Sequence, residues 1–110
     1  MSKNLDYTIL FDIYSPLLTD KQRDTLDLYY NEDLSLGEIS ESTGVTRQAV
    51  MNCIKKSEAR LDELEEKMGL VQRFMSVSEY IGKLKEIICE EEFRNKNKAE
   101  EYLKKIDELL

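Results

Sequence analysis

Polar and basic side chains near the middle of this 110-residue sequence have the types and spacing to bind a nucleic acid. Arginine pairs bidentately with guanine, glutamine or asparagine pairs with adenine, and lysine or arginine contacts phosphate groups. The candidate base readers are Thr46, Arg47, Gln48 and Asn52. The candidate phosphate contacts, at roughly one-turn spacing, are Lys55, Lys56 and Arg60. We predict that one helix presents all of these side chains to a major groove.

A second helix must pack across this helix to position it. Residues 36–55 have the residue types that such a helix crossing needs. It requires apolar residues on both helices, a small residue where the backbones approach, and a turn residue that tolerates positive φ. The sequence supplies, in order, Ile39, Ser40, Gly44, Val45 as an apolar plug, Val50 and Cys53. This spacing is typical of a helix-turn-helix, although Thr43 stands where a larger aliphatic residue is commoner. The alternative is an ordinary helical hairpin with a glycine C-cap.

The distribution of charge both favours and opposes nucleic-acid binding. Residues 42–60 contain four basic side chains and one acidic side chain, in a chain with a net charge of −7. Residues 19–69 as a whole, however, contain twelve acidic and seven basic side chains. The acidic residues that follow the basic stretch are Asp62, Glu63, Glu65 and Glu66. Because neutralised phosphates supply most non-specific affinity, we expect these carboxylates to repel a nucleic-acid backbone if they lie near it, whereas Lys21 and Arg23 are candidates to extend the basic surface.

The composition argues against catalysis and against a bound cofactor. The chain has no histidine, which is the commonest general base and metal ligand. Cys53 falls on the helix-turn-helix core and is predicted to be a buried structural thiol, and Cys89 lies beside three glutamates that disfavour a thiolate. The acidic clusters lack the loop spacing of a calcium site and are predicted to be solvated helix faces. We expect no enzyme, no metal and no cofactor.

Local signals divide the N-terminal part into four helices. Apolar residues at Leu5, Ile9, Ile13 and Leu17 predict that residues 4–18 form a helix with a broad buried face. Pro16 is expected to end that helix. The next starts are predicted at Thr19 with Gln22 and at Ser35 with Glu38, each at capping-box spacing, and at Thr46. The long fourth helix is expected to bury Val50, Cys53 or Ile54, Ser57, Leu61, Leu64 and Met68.

The C-terminal part is predicted to be helical as well. We expect a break at Gly69, although the apolar pattern also runs on through Val71, Phe74 and Met75. A helix over residues 78–91 is expected to point Ile81, Leu84 and Ile88 inward, and a loop is predicted over residues 93–98. A last amphipathic helix over residues 99–110 carries Tyr102, Leu103, Ile106 and Leu110.

The sequence as a whole thus predicts an all-α fold, a helical bundle with a helix-turn-helix. Residues 1–68 form the helix-turn-helix domain with its long recognition helix, and residues 69–110 form a C-terminal helical extension. The extension has more apolar positions than one small bundle hides, which indicates a homodimer. No apolar run approaches the ~18 residues of a membrane span, and the cysteine usage favours the cytoplasm.

The sequence also resembles known families. Residues 18–68 resemble region 4, the promoter-reading C-terminal region of bacterial sigma-70 factors. Residues 10 to about 67 resemble the YlxM-like family of small helix-turn-helix proteins of Gram-positive bacteria. The segments that carry this second resemblance are Tyr14, Pro16-Leu17-Leu18-Thr19, Lys21-Gln22-Arg23, Leu28-Tyr29-Tyr30, Ser35-Leu36-Gly37-Glu38-Ile39, Arg47-Gln48-Ala49-Val50 and Ile54-Lys55.

The YlxM-like resemblance implies a DNA-binding regulatory protein linked to the signal recognition particle pathway of protein targeting. Two alternatives stay open, because the chain departs from sigma factors in the acidic stretch after Lys56. The first is an accessory factor that binds the RNA of the signal recognition particle or its GTPase. The second is a protein-interaction adaptor that binds no nucleic acid.

Overall fold

A computed structural model describes residues 5–89 and 96–110 of the chain, with side chains from Tyr7 onward in the first of these segments. All regular elements among these residues are helical, which confirms the all-α prediction. The α-helices are α1 Leu5–Tyr14, α2 Asp20–Leu26, α3 Leu36–Thr43, α4 Arg47–Met68, α5 Leu70–Ile88 and α6 Lys96–Leu109. A 3₁₀ turn, Ser15–Leu17, follows α1, and a π-helical turn, Asp27–Asn31, follows α2. The chain divides into two compact units between Met68 and Gly69.

The predicted helix starts in the N-terminal unit are confirmed. The Thr19 hydroxyl accepts from the Gln22 amide and the Gln22 side chain accepts from the Thr19 amide, both at 3.2 Å. Ser35 and Glu38 form the same reciprocal pair at 3.1 Å. These capping boxes satisfy backbone donors that a helix leaves without a partner. α2 and α3 therefore begin where their sequences specify.

The buried face of α1 differs from the prediction. Ile9 and Leu17 are 37% and 50% exposed, and Ile13 is half-buried. The residues that α1 and the turn after it bury are instead Leu10, Phe11, Tyr14 and Leu18. The aromatic side chains remove more apolar surface from water than the aliphatic row beside them, and they turn that face of α1 inward.

The core of the N-terminal unit lies along α4, against which α1, α2 and α3 pack. α4 buries Val50, Ile54, Ser57, Leu61 and Leu64. The sequence left open whether α4 buries Cys53 or Ile54 at this position, and the structure buries Ile54, which is 2% exposed. Met68 was predicted to be buried and is 41% exposed, since it is the last residue of the helix. The Ser57 hydroxyl donates to the Cys53 carbonyl at 2.6 Å, so this buried polar group is satisfied.

The C-terminal unit is a pair of helices with longer bounds than predicted. Gly69 has a φ of +63°, which confirms the break, but α5 begins immediately afterwards at Leu70 rather than at residue 78. α6 begins at Lys96, inside the predicted loop, and the rest of that loop lies outside the described residues. α5 and α6 pack together, with the Tyr80 and Tyr102 ring centroids 5.7 Å apart.

The side chains predicted to point inward in this unit are largely exposed. Ile81 and Ile88 of α5 are 40% and 66% exposed, and Leu103 and Leu110 are 52% and 83% exposed. The buried side chains of α5 and α6 are Val71, Ile87 and Ala99. α6 meets α5 on the face that carries Tyr80, a different face from that of Ile81 and Ile88. Among the described residues, no helix is long and apolar enough to cross a membrane.

Candidate nucleic-acid interface

The turn between α3 and α4 is held by three local features. Gly44 adopts a φ of +78°, a left-handed conformation that glycine enters without a Cβ penalty. The Ser40 hydroxyl donates to the Val45 carbonyl at 2.5 Å, and the Thr43 hydroxyl donates to the Ile39 carbonyl at 2.7 Å. Both hydroxyls belong to the C-terminal half of α3, and the Ser40 bond spans the turn, so the chain passes from α3 into α4 in one defined geometry.

Two residues of the predicted helix-turn-helix core are less buried than expected. Val45, predicted as an apolar plug, is 38% exposed. Cys53, predicted as a buried thiol, is half-buried and free of any disulfide. Ile39 and Val50, at 1% and 2% exposure, fill the space between α3 and α4, so the crossing closes without the other two side chains.

The predicted base readers lie together on the exposed first turns of α4. The Thr46 hydroxyl oxygen accepts from the Ala49 amide at 3.1 Å, which confirms that Thr46 caps the helix. Gln48 Nε2 donates to Asn52 Oδ1 at 3.2 Å, one helical turn away. Thr46, Gln48 and Asn52 are all exposed. Besides this cap bond, the Thr46 hydroxyl keeps its proton and a second lone pair for a contact with a base.

Arg47 is exposed, and its guanidinium group lies against Gly37 near the start of α3. A Cβ atom on residue 37 would intrude on this group, so the contact depends on glycine at that position. The sequence contains Gly37 within the segment that resembles the YlxM-like family, but nothing local connects it with Arg47. The contact between Gly37 and the predicted base reader Arg47 was therefore missed by sequence reasoning.

The predicted phosphate contacts fall into two groups. Lys55 and Lys56 are exposed, and no ion pair or hydrogen bond joins their ammonium groups to another described residue. Arg60 is half-buried, and its Nη1 lies 3.3 Å from Glu63 Oε2. Arg60 is therefore partly neutralised within the protein, whereas the two lysines keep their full charge for a partner.

The acidic stretch after the lysines has protein partners that the sequence did not indicate. The Tyr7 hydroxyl donates to Asp62 Oδ2 at 2.7 Å, and the Tyr14 hydroxyl donates to Glu65 Oε1 at 2.5 Å. The hydrogen bond to Asp62 is the main reason that the pKa of Tyr7 is raised to about 12. Asp62 and Glu65 thus attach α1 to α4 while keeping their negative charges, so the repulsion predicted for this stretch stays a prediction.

Glu63 also has partners within α4. Lys67 Nζ lies 2.8 Å from Glu63 Oε1, one helical turn away, and Arg60 contacts the other carboxylate oxygen. The hydrogen bond from Lys67, followed by that from Arg60, lowers the pKa of Glu63. Glu66 is exposed. Within the acidic stretch, Glu66 best fits the prediction of a solvated helix face.

Glu58, the acidic residue inside the basic stretch, is half-buried next to Tyr30. Burial, with a smaller contribution from the charge of Asp62, raises the pKa of Glu58, and a hydrogen bond with Tyr30 opposes that rise. Burial also raises the pKa of Tyr30. Glu58 therefore faces the α1–α2 side of α4 rather than the row of exposed lysines. No group of three metal-ligating side chains occurs among the residues that the structure describes.

Comparisons with known proteins agree with this geometry. Residues 1–105 match the model of a family described as "Putative helix-turn-helix protein, YlxM / p13 like", named UPF0122. The chain is 46% identical over 109 residues to UPF0122 proteins of Bacillus cereus (strain AH187), Bacillus anthracis (strain A0248) and Bacillus thuringiensis subsp. konkukian (strain 97-27). Each alignment covers 97% of this chain and 99% of the relative. The chain therefore belongs to the UPF0122 family of YlxM/p13-like helix-turn-helix proteins.

Proposed function

We propose that this chain is a non-catalytic, cytoplasmic DNA-binding regulator that inserts the first turns of α4 into a major groove. The observation that carries the proposal is the exposed surface of α4 from Thr46 to Lys56, which projects from a turn fixed by Gly44. The base readers lie at the start of this surface and the unpaired lysines follow them. That order is the one by which a recognition helix enters DNA, with its N-terminal residues against the bases.

The test is binding of the full chain to genomic duplex fragments, measured by fluorescence anisotropy over a series of salt concentrations. We expect Arg47→Ala to weaken specific binding by ~1–3 kcal/mol and to relax the preference at one base position. The affinity of a specific complex is higher than charge neutralisation alone gives. At a fixed salt concentration, it must therefore depend on the DNA sequence. Equal binding of all fragments by wild type and Arg47→Ala would overturn the proposal.

The link with the signal recognition particle pathway is proposed on the resemblance to the YlxM-like family. The RNA and the GTPase of the particle are the partners that this resemblance implies. The unpaired lysines contact a sugar–phosphate backbone without reading bases, and such contacts serve RNA as well as DNA. The same salt series with the particle RNA beside the duplexes separates the two, since tighter binding to the RNA would replace the DNA proposal. Recovery of the GTPase without the RNA from the reconstituted particle would favour the accessory factor that binds the GTPase.

We also propose that the C-terminal helices mediate a homodimer. Phe74, Ile81 and Ile88 of α5 recur at intervals of seven residues and are each 40% or more exposed. A repeat of seven places these side chains on one stripe of the helix, the pattern by which helices pair. A second copy of the chain covers this stripe, which we call the α5 seam. Light scattering at micromolar concentration should therefore give twice the mass of one chain, and the mass of a single chain would exclude the dimer.

A further inference from the structure

We propose that a groove between α2 and α4 holds a phosphodiester group of the bound nucleic acid and that Lys21 and Lys56 clamp it. The inference rests on the proposed function and adds a second helix to the interface. The groove, which we call the α2–α4 groove, has a volume of about 350 Å³. Its lining residues are Thr19, Lys21, Gln22, Ala49, Asn52, Cys53 and Lys56.

The charge of the α2–α4 groove fits an anion. Among the described residues, two lysines and no acidic side chain line it, in a chain that carries 23 acidic residues. No ion pair or hydrogen bond connects Lys21 or Lys56 to another described residue. Lysine acts as a flexible point charge with three donors, which is the way it binds phosphate.

Each of the three polar side chains of the groove accepts one hydrogen bond within the protein, and its own donor group remains available. Gln22 Oε1 accepts from the Thr19 amide, so the Nε2 group of Gln22 is left to donate. The Thr19 hydroxyl oxygen accepts from the Gln22 amide and keeps its proton. Asn52 Oδ1 accepts from Gln48, which leaves the Nδ2 group. The groove therefore offers hydroxyl and amide donors together with two cations, and phosphate oxygens are acceptors only.

The position of the groove identifies the source of the phosphate. Asn52 and Lys56 belong both to its lining and to the exposed face of α4 that we assign to DNA. A backbone phosphate beside an inserted α4 can thus reach the groove while bases contact the first turns of the helix. An adjoining apolar depression of about 370 Å³ also contains Lys21, but Asp24 lines it together with Ile39 and Val50. The acidic and apolar side chains of this depression disfavour an anion there, so we place the phosphate in the α2–α4 groove.

The structure separates Lys21 from its neighbour Arg23. Arg23 Nη2 lies 2.7 Å from Asp20 Oδ1, and Arg23 lines a different depression that includes Asp12, Asp24 and Asp27. Both residues were candidates to extend the basic surface, and only Lys21 faces the recognition helix. A matched pair of variants follows directly, because Lys21→Gln and Arg23→Gln each remove one positive charge from α2.

The experiment compares the salt dependence of duplex binding by wild type, Lys21→Gln and Arg23→Gln. We expect Lys21→Gln to lower affinity equally for all sequences and to reduce the slope of log K against log salt by about 1, the value for one lost phosphate contact. Arg23→Gln should leave the slope unchanged. Lys67→Gln, which removes an exposed, ion-paired charge from the end of α4, is a second control in case Arg23→Gln loses stability. Thermal unfolding of each variant checks that it is folded at the assay temperature.

The outcomes separate failure of the groove from failure of the proposed function. If wild type binds and Arg47→Ala weakens binding, but Lys21→Gln behaves like the control variants, the groove does not hold a phosphate. If wild type binds neither duplex nor RNA at low salt, the proposed function is wrong and the groove proposal falls with it. A slope reduced by Lys21→Gln and by Lys56→Gln, with both controls unchanged, supports the clamp.

Discussion

The guanidinium group of Arg47 lies across Gly37, with Nη2 only 2.9 Å from the point that a Cβ atom on residue 37 would occupy. Gly37 is the second residue of α3, where its φ is not positive and the local backbone does not require glycine. Glycine costs up to about 1 kcal/mol relative to alanine inside a helix. We attribute its presence to Arg47, whose side chain takes the space that any other residue would fill.

Gly37→Ala is therefore expected to raise the stability of the fold and to lower the affinity for DNA. The new methyl group displaces the end of the Arg47 side chain, which is flexible, so the fold should be kept and α3 stabilised by up to about 1 kcal/mol. Affinity for the specific duplex should fall because Arg47 no longer starts from its native position. Urea unfolding measures the first effect and fluorescence anisotropy the second.

The control for Gly37→Ala is the same substitution in an Arg47→Ala background. Without the guanidinium group, the methyl group meets open space, and the two substitutions should not be additive in binding. If Gly37→Ala lowers affinity to the same extent in both backgrounds, Gly37 acts on binding without Arg47 and our explanation is wrong.

Features that depend on neighbouring residues in the chain could be predicted from the sequence. The caps at Thr19 and Ser35 need a partner three positions away, and the turn at Gly44 needs one residue that tolerates positive φ. The order of the base readers and lysines on α4 follows from the same local information, since Thr46 fixes where the helix begins. For this reason, the fold class and the position of the candidate face could be predicted from the sequence.

Features that depend on packing between distant segments could not be predicted in this way. Tyr7 and Asp62 are 55 positions apart, and no local pattern shows that a carboxylate after the basic stretch has a tyrosine as its partner. The sequence therefore showed the charge of the acidic run but not its contacts with α1. Ile81 and Ile88 show the same limit for apolar residues. Their spacing predicts that another surface covers them, but it does not specify which surface that is.

The contact between Tyr7 and Asp62 should make stability depend on alkaline pH. Folding raises the pKa of the phenol from 10.0 to about 12, so the contact favours the protonated form. Its contribution is complete below pH 10, where the unfolded phenol is also protonated, and is lost as the pH rises through about 12. At about pH 8 we expect Tyr7→Phe to unfold ~0.5–1.5 kcal/mol more easily than wild type in urea. This difference should shrink by about pH 11, and a difference that stays constant would contradict the assignment.

The α5 seam predicts that a single charge abolishes self-association. Ile81 is the middle residue of the seam, and burying a carboxylate there without a partner costs far more than one apolar contact contributes. Ile81→Glu should therefore sediment as a single chain at concentrations where wild type is a dimer. Leu110→Glu is the matched control, because Leu110 is 83% exposed beyond the end of α6. Loss of the dimer in both variants would point to net charge rather than to the seam.

Cys53 provides a chemical probe of the α2–α4 groove that does not depend on charge. Its thiol is half-buried and lines both the groove and the adjoining apolar depression, so a maleimide reagent can approach it from the groove side, past Asn52 and Lys56. In a Cys89→Ser variant, we expect a saturating duplex to slow labelling of Cys53, because the backbone phosphate closes the route through the groove. Cys89 is exposed on the C-terminal unit, and its labelling in a Cys53→Ser variant should not change. Unchanged labelling of Cys53, with binding verified by anisotropy in the same sample, would place the nucleic acid elsewhere on α4.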